Sequence, residues 1–114
     1  MPRNISFSMT IDQLNDRSKT VTRRMGWEFL KPGDILNACE KCMGLKPGEK
    51  IKKLCQIRVV NVSREHLNKI SQSDVVKEGF PDMTRSDFIE FFIKEMRPAH
   101  GHAQKITRIE FEYL

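Results

Sequence analysis

The chain of 114 residues has little of what marks a membrane-spanning, secreted or disulfide-stabilised protein. No stretch approaches the roughly 18 consecutive apolar residues that a membrane-spanning helix needs, so we expect no membrane partner. The N-terminal residues lack the apolar core of a secretory signal, and the three cysteines are an odd number. We therefore expect a cytoplasmic protein whose thiols are reduced.

Signatures of several common enzyme classes are missing as well. The sequence has no Gly-rich phosphate-binding loop and no nucleophile elbow, and we expect no cofactor. It also has no internal repeat, low-complexity run or linker. With 39% hydrophobic and 31% charged residues, the composition is that of a soluble globular protein, and the length predicts one domain over residues 1–114.

Basic residues are concentrated in the first half of the chain. Lysine and arginine number 20 against 15 acidic residues, which gives a net charge of +5. Residues 1–58 carry 12 basic and 6 acidic side chains, a net charge of +6, whereas residues 59–114 carry 8 and 9. We expect an anionic partner to bind the first half.

Alternation of apolar residues predicts strands at residues 5–7, 35–42, 54–62 and 106–113, and residues 19–24 are either a strand or an extended loop. Plain alternation in 54–62 puts Cys55, Ile57 and Val59 on one face and Leu54, Val60 and Val62 on the other. Strands with interrupting helices predict an α+β fold, a small and mostly antiparallel β-barrel.

Capping residues predict three helices between these strands. Thr10 is expected to cap the first helix, and Ser73 the second, which ends at Gly79. Thr84 and Asp87 form a capping-box pattern in front of the third helix, residues 88–96.

The densest polar cluster lies at residues 19–31. Guanidinium groups bind phosphate in a bidentate way, and an indole stacks on a base. An equally acceptable interpretation is a solvated basic strand with a half-buried tryptophan. The candidate binding residues are Lys19, Arg23, Arg24, Trp27 and Lys31.

Two further residues have the chemistry of a catalytic site. Thr22 becomes a nucleophile only if a neighbour takes its proton, and Lys19, three residues earlier, does so when burial lowers its pKa. Glu78 lies near a helix C-terminus, where a negative charge is mildly unfavourable, which suggests another role. The alternatives are an ordinary exposed lysine and a solvated glutamate.

Three cysteines are weak candidates for a zinc site. Cys39 and Cys42 have zinc-ligand spacing and Cys55 follows, but no second such pair exists. The two converge only if the chain turns at Met43 and Gly44. The fourth ligand would be His66, His100 or His102. The alternative is three small buried thiols.

Several segments of the chain together resemble the ASCH domain, the activating-signal-cointegrator homology family. The likeness runs from about residue 5 to residue 114 and is greatest to small stand-alone ASCH proteins of bacteria and phages. The matching segments are Lys19-Thr20-Val21-Thr22-x-Arg24, Leu30-Lys31-Pro32-Gly33-Asp34, Glu78-Gly79-Phe80 and Ile109-Glu110-Phe111.

The resemblance implies a PUA-like β-barrel with helices flanking a basic cleft that binds RNA or a nucleotide. Some small members hydrolyse the amide of N4-acetylcytidine with a lysine, a threonine and a glutamate, which fall here on Lys19, Thr22 and Glu78. Other members are linked to RNA cleavage. The segment 39–49 is longer than in the smallest amidohydrolase-like members, which could change the substrate.

Three functions follow from these observations. The first is an amidohydrolase that acts on an N4-acylated cytidine, with Arg24 binding substrate or stabilising the oxyanion. The second is a non-catalytic RNA- or nucleotide-binding module, with a ribonuclease as its variant. The third is an interaction protein that keeps the fold and has lost the site.

Overall fold

Five strands form one sheet in the computed structural model of the chain, which describes residues 2–42 and 45–114. Three α-helices lie between the strands. In chain order the elements are β1 Arg3–Ser6, α1 Ile11–Asn15, β2 Val21–Arg24, β3 Ile35–Cys39, β4 Lys53–His66, α2 Gln72–Lys77, α3 Arg85–Met96 and β5 Lys105–Tyr113.

The sheet is mostly antiparallel, as predicted, but the barrel does not close. The strand order is β1-β3-β4-β5-β2, and only β1 with β3 is a parallel pair among the described strands. The edge strands β1 and β2 have four residues each, and a side chain spans the gap between them: Arg24 Nη2 donates to the carbonyl oxygen of Ser6. The result is a curled half-barrel rather than the predicted barrel.

The central strand β4 contains a bulge that changes which residues face the core. Val59 pairs with Phe111 and Asn61 with Glu110, so Val60 is an extra residue on the β4 side. The extra residue reverses the alternation, and Val62 packs on the same core as Val59. The prediction that these two valines lie on opposite faces is therefore wrong.

Helix boundaries follow the capping chemistry, with corrections at α1 and α2. The N-cap of α2 is Ser71 rather than Ser73, because the Ser71 hydroxyl accepts from the backbone N–H of Asp74. Thr10 precedes α1, but its side chain makes no capping hydrogen bond. The Thr84–Asp87 capping box of α3 is confirmed in both directions.

Two buried clusters fill the interior, and a cavity lies where they meet. The first cluster packs under the sheet and includes Phe7, while the second packs around α3 and includes Phe88 and Phe92. All three of these rings line one cavity. None of the helices in the described ranges is long and apolar enough to cross a bilayer.

Candidate functional site

A cavity of about 170 Å³ brings together two separate parts of the chain, residues 6–24 and 78–96. One side is polar and the other aromatic. The polar side comprises Ser6, Ser8, Thr10, Lys19, Thr22, Arg23, Arg24 and Glu78, and the aromatic side comprises Phe7, Phe80, Phe88, Phe91 and Phe92.

The loop before β2 and the end of α2 are fastened to each other, which places Lys19 opposite Glu78. The backbone N–H of Thr20 donates to the carbonyl oxygen of Lys77 at 2.8 Å. Gly79, with a φ of +100°, reverses the chain directly after Glu78. The hydroxyl of Tyr113 donates to the carbonyl oxygen of Lys19 and fixes the loop from the β5 side.

Lys19 and Glu78 form a buried ion pair, and each is only 3% exposed. Lys19 Nζ lies 2.8 Å from Glu78 Oε1 and also donates to the Glu78 carbonyl oxygen at 2.8 Å. An ammonium has three N–H groups, so these two contacts leave one position on Nζ for another partner.

The environment of Lys19 makes its ammonium easier to deprotonate than that of an exposed lysine. Burial lowers the pKa of Lys19 from its usual value, and the nearby charges of Arg24 and Arg23 lower it further, while Glu78 opposes the shift. A lysine with a lowered pKa is a general base nearer to neutral pH than an exposed one.

Thr22 and Arg24 lie on the same face of β2, since successive side chains of a strand alternate. Arg24 Nε donates to Thr22 Oγ1 at 3.0 Å, and the guanidinium lies 4.8 Å from the centre of the Phe7 ring. Burial lowers the pKa of Arg24 to about 10, while Glu78 opposes this shift, so the side chain stays cationic at neutral pH.

The structure thus brings all three residues of the predicted catalytic set to one cavity. Lys19 and Glu78 are in direct contact, whereas Thr22 contacts Arg24. In the described part of the chain, both hydrogen bonds of the Lys19 ammonium go to Glu78 and none goes to Thr22.

Arg23 has a different environment from the one expected for a phosphate-binding residue. Its side chain is 1% exposed, and its guanidinium donates to Glu65, Asp74 and Glu78. Because it is buried and three carboxylates occupy these donors, Arg23 is not placed as an exposed phosphate ligand. Both Arg23 and Arg24 line the cavity, and Arg24 is the one that contacts Thr22.

Trp27 and Lys31 lie away from the cavity and are not among its described lining residues. Trp27 is half-buried at the edge of the first cluster, with its ring 5.5 Å from that of Phe29. Lys31 is exposed in a turn that the backbone N–H of Asp34 closes at 3.0 Å. The structure therefore gives Trp27 the half-buried position of the alternative interpretation.

The cysteines do not form a metal site in the described residues. Cys39 is buried at the end of β3, and Cys42 and Cys55 are half-buried. Across 2–42 and 45–114, no group of three or more His, Cys, Asp or Glu side chains is placed to hold a metal ion. Met43 and Gly44, where the ligands were expected to turn toward each other, lie outside the described residues.

Sequence reasoning missed the aromatic side of the cavity. Phe88 and Phe92 lie on the apolar, core-facing stripe of α3, and they also line the cavity. Phe91 belongs to the same aromatic wall although it lies outside this stripe. An aromatic residue outside the apolar stripe of the helix was the available signal.

No protein-family model matches this sequence, and no curated protein matches it significantly. Solved structures do match. Protein EF3133 from Enterococcus faecalis, described by the family model DUF984, has a TM-score of 0.69 at 19% identity over 100% of this chain and 80% of that one. The hypothetical protein PH0355 has a TM-score of 0.67 at 14% identity, with 100% of both chains covered.

A third structure is an ASCH domain from Lactobacillus crispatus. It has a TM-score of 0.66 at 15% identity, and the match covers 97% of this chain and 78% of that one. At these identities the likeness establishes the fold. The chain therefore has the fold of an ASCH-type domain, as its sequence resemblance predicts.

Proposed function

We propose that this protein hydrolyses the amide of a small N-acylated nucleobase or nucleoside, such as N4-acetylcytidine. The observation that carries the proposal is the buried Lys19–Glu78 pair, which shares one small cavity with Thr22. The substrate class comes from the ASCH resemblance of the sequence. An aromatic wall opposite the polar groups suits a planar base.

The volume of the cavity supports a single small ligand rather than a polynucleotide. At about 170 Å³ it is smaller than the ~300–1,000 Å³ pockets that bind drug-sized molecules. The aromatic residues Phe80, Phe88 and Phe91 would contact the base or its acyl group, and the polar side would receive the amide.

In the proposed reaction, the neutral amine of Lys19 takes the hydroxyl proton of Thr22 while Oγ1 attacks the acyl carbon. This requires the third position of Nζ, the one that Glu78 does not use, to face Thr22. Arg24 already donates to Oγ1 and stabilises the negative charge that develops there and on the carbonyl oxygen.

The second half of the reaction returns the proton. Lys19, now an ammonium, protonates the leaving amine as the C–N bond breaks, which leaves the acyl group as an ester on Thr22. Water hydrolyses this ester to a carboxylic acid and restores the Thr22 hydroxyl. Glu78 stabilises the ammonium form of Lys19 between the two proton transfers.

The test is turnover of N4-acetylcytidine by the wild type, Thr22→Ala and the matched control Thr20→Ala. Thr20 is the neighbouring threonine and bonds to Lys77 and Phe111 through its backbone, so its side chain is dispensable. We expect Thr22→Ala to lose ~10²–10⁴-fold in kcat/KM, the usual effect of acid–base-assisted nucleophilic attack, and Thr20→Ala to stay near the wild type. Full activity in Thr22→Ala would overturn the mechanism.

A non-catalytic RNA- or nucleotide-binding module is the second candidate. It is favoured by the permanently charged Arg24 in the cavity and by the net charge of +5. Binding of a short RNA would then weaken steeply between low and moderate salt, because phosphate contacts release counterions. Binding of an uncharged nucleoside with little salt dependence would favour the hydrolase, and cleavage of the RNA would favour the ribonuclease variant.

A further inference from the structure

We propose that Arg23 is a positioning residue: by clamping two carboxylates one turn apart on the α2 segment, Asp74 and Glu78, it holds the Glu78 carboxylate against Lys19. The inference rests on the proposed role of Lys19 as the base. Nothing in the sequence resemblance assigns this role to Arg23.

The clamp follows from the spacing of the two acidic residues. Asp74 and Glu78 are four residues apart, so they lie on one face of the helix, and this face points at β2. Arg23 Nη2 donates to Asp74 Oδ2 at 2.5 Å, and Nη1 donates to Glu78 Oε2 at 3.3 Å. One planar guanidinium therefore joins both carboxylates, which a single ammonium could not do in the same geometry.

A second arginine fastens the clamp to the sheet. Arg23 on β2 is directly opposite Arg108 on β5, a cross-strand pair of like charges that would repel on its own. Asp74 lies between them: its Oδ2 accepts from Arg108 Nε at 2.7 Å, and its Oδ1 accepts from Arg108 Nη2 at 3.1 Å. Asp74 therefore holds the guanidinium of Arg23 in place, and the same guanidinium contacts Glu78.

The two oxygens of Glu78 then have different partners. Oε1 accepts from Lys19 and Oε2 accepts from Arg23, and every one of these groups is buried. Arg23 thereby fixes the orientation of Glu78, while its own positive charge lowers the pKa of Lys19.

The charged and titratable groups that face Lys19 come from three elements. They are Glu78 at the end of α2, Arg23 and Arg24 from β2, and Tyr113 from β5. The residues that α3 contributes to the described cavity lining are apolar. Arg23 also lines the cavity, and each of its three guanidinium nitrogens donates to a carboxylate.

The experiment is an NMR titration of the Lys19 side chain, followed through its Cε resonance, in the wild type, Arg23→Gln and Arg23→Lys. Arg58→Gln and Arg58→Lys are the controls, since Arg58 makes an exposed ion pair with Glu112 on the same sheet. We expect the titration midpoint of Lys19 to fall in Arg23→Lys, because Glu78, released from the clamp, no longer lies against the ammonium that it stabilises. Arg23→Gln also removes the positive charge that lowers the pKa of Lys19, so its midpoint should lie above that of Arg23→Lys. Both controls should leave the midpoint unchanged.

Arg23→Lys decides the question, because it keeps a cation among the three carboxylates and so preserves the fold. A midpoint that stays at the wild-type value or rises in Arg23→Lys would overturn the clamp, since Glu78 would then keep its place against Lys19 without the guanidinium. The titration needs no turnover. A lowered midpoint of Arg23→Lys in a protein that does not hydrolyse N4-acetylcytidine would support the clamp and remove the proposed reaction.

Discussion

The ion pair between Lys19 and Glu78 sets the chemistry of the cavity at the scale of single residues. Two charges removed from water lose much of their solvation, and their attraction repays this loss only where hydrogen bonds satisfy the remaining donors and acceptors. Here Glu78 accepts through both carboxylate oxygens and its carbonyl oxygen. An apolar pair of similar volume would avoid this desolvation penalty. The presence of a buried ion pair at this place is therefore a reason to expect a functional role for it.

We predict that Lys19→Met destabilises the protein by ~3–5 kcal/mol, because Glu78 then keeps a buried charge with Arg23 as its remaining partner. The double variant Lys19→Met/Glu78→Gln should recover part of this loss, since it removes both charges. Urea denaturation of both variants, with exposed Lys77→Met as control, measures the effect. Equal stabilities of Lys19→Met and Lys77→Met would show that the pair contributes nothing.

The turn after α2 positions Glu78 in the cavity. Gly79 has a φ of +100°, and a Cβ atom placed there would lie 2.8 Å from Gln13 Cγ and 2.9 Å from Gln13 Cβ. The turn therefore needs glycine for two reasons, the left-handed backbone and the close approach of α1. Helices α1 and α2 meet at this point, and the loop that carries Lys19 runs beside it.

We predict that Gly79→Ala is more destabilising than Gly48→Ala. Gly48 has a φ of +82° with open space around it, so alanine there introduces backbone strain of ~1 kcal/mol without a contact. Alanine at Gly79 introduces the same backbone strain and must also displace Gln13. This displacement should move the neighbouring Glu78 and lower the activity. Thermal denaturation compares the two variants, and equal losses would mean that Gln13 moves aside without cost.

The elements that the sequence predicts correctly are those with local causes. The capping box at Thr84 and Asp87 satisfies backbone groups within one turn, so residues near in sequence fix the start of α3. The bulge at Val60 has its cause in the pairing with β5, about fifty residues away, and no local pattern reveals it. The gap between the edge strands β1 and β2 is likewise a feature of the whole sheet, and no local pattern reveals it.

The residues of the site likewise divide into those that the sequence predicts and those whose environment only the fold reveals. Lys19, Thr22 and Glu78 were found by resemblance to a family, and the structure shows that they share a cavity. The arrangement of Arg23 could not be foreseen, since its carboxylate partners come from β4 and α2 and are brought to it only by the fold. A basic run in a sequence does not show which of its arginines will be neutralised inside the molecule.

At the scale of the whole molecule, a network of charges joins the half-barrel to the helices that cover it. Arg23 and Arg108 extend from two paired strands, and Asp74 extends from α2 between them. Every buried side-chain nitrogen and oxygen in the described ranges has a hydrogen-bond partner. Because its donors and acceptors are paired, this network stabilises the docking of α2 on the sheet. Protonation of Asp74, its central carboxylate, should weaken the whole network.

We predict that this docking weakens in acid. Hydrogen bonds from Arg108, with those from Arg23, lower the pKa of Asp74 from 3.8 to about 2, against the opposing effect of burial. A depressed folded-state pKa contributes stability that is present above about pH 4 and is lost as the pH falls toward 2. The advantage of the wild type over Asp74→Asn should therefore shrink by roughly 1–2 kcal/mol between about pH 5 and about pH 2.

Urea denaturation at a series of pH values measures this difference, and subtraction of the two proteins removes the contribution of carboxylates that both retain. Asp82→Asn is the matched control, because it makes the same chemical change at an aspartate that is exposed on the surface. If the difference between the wild type and Asp74→Asn stays constant across the acid range, Asp74 titrates alike in the folded and unfolded chains. The network would then hold α2 through packing rather than through the charge of its central carboxylate.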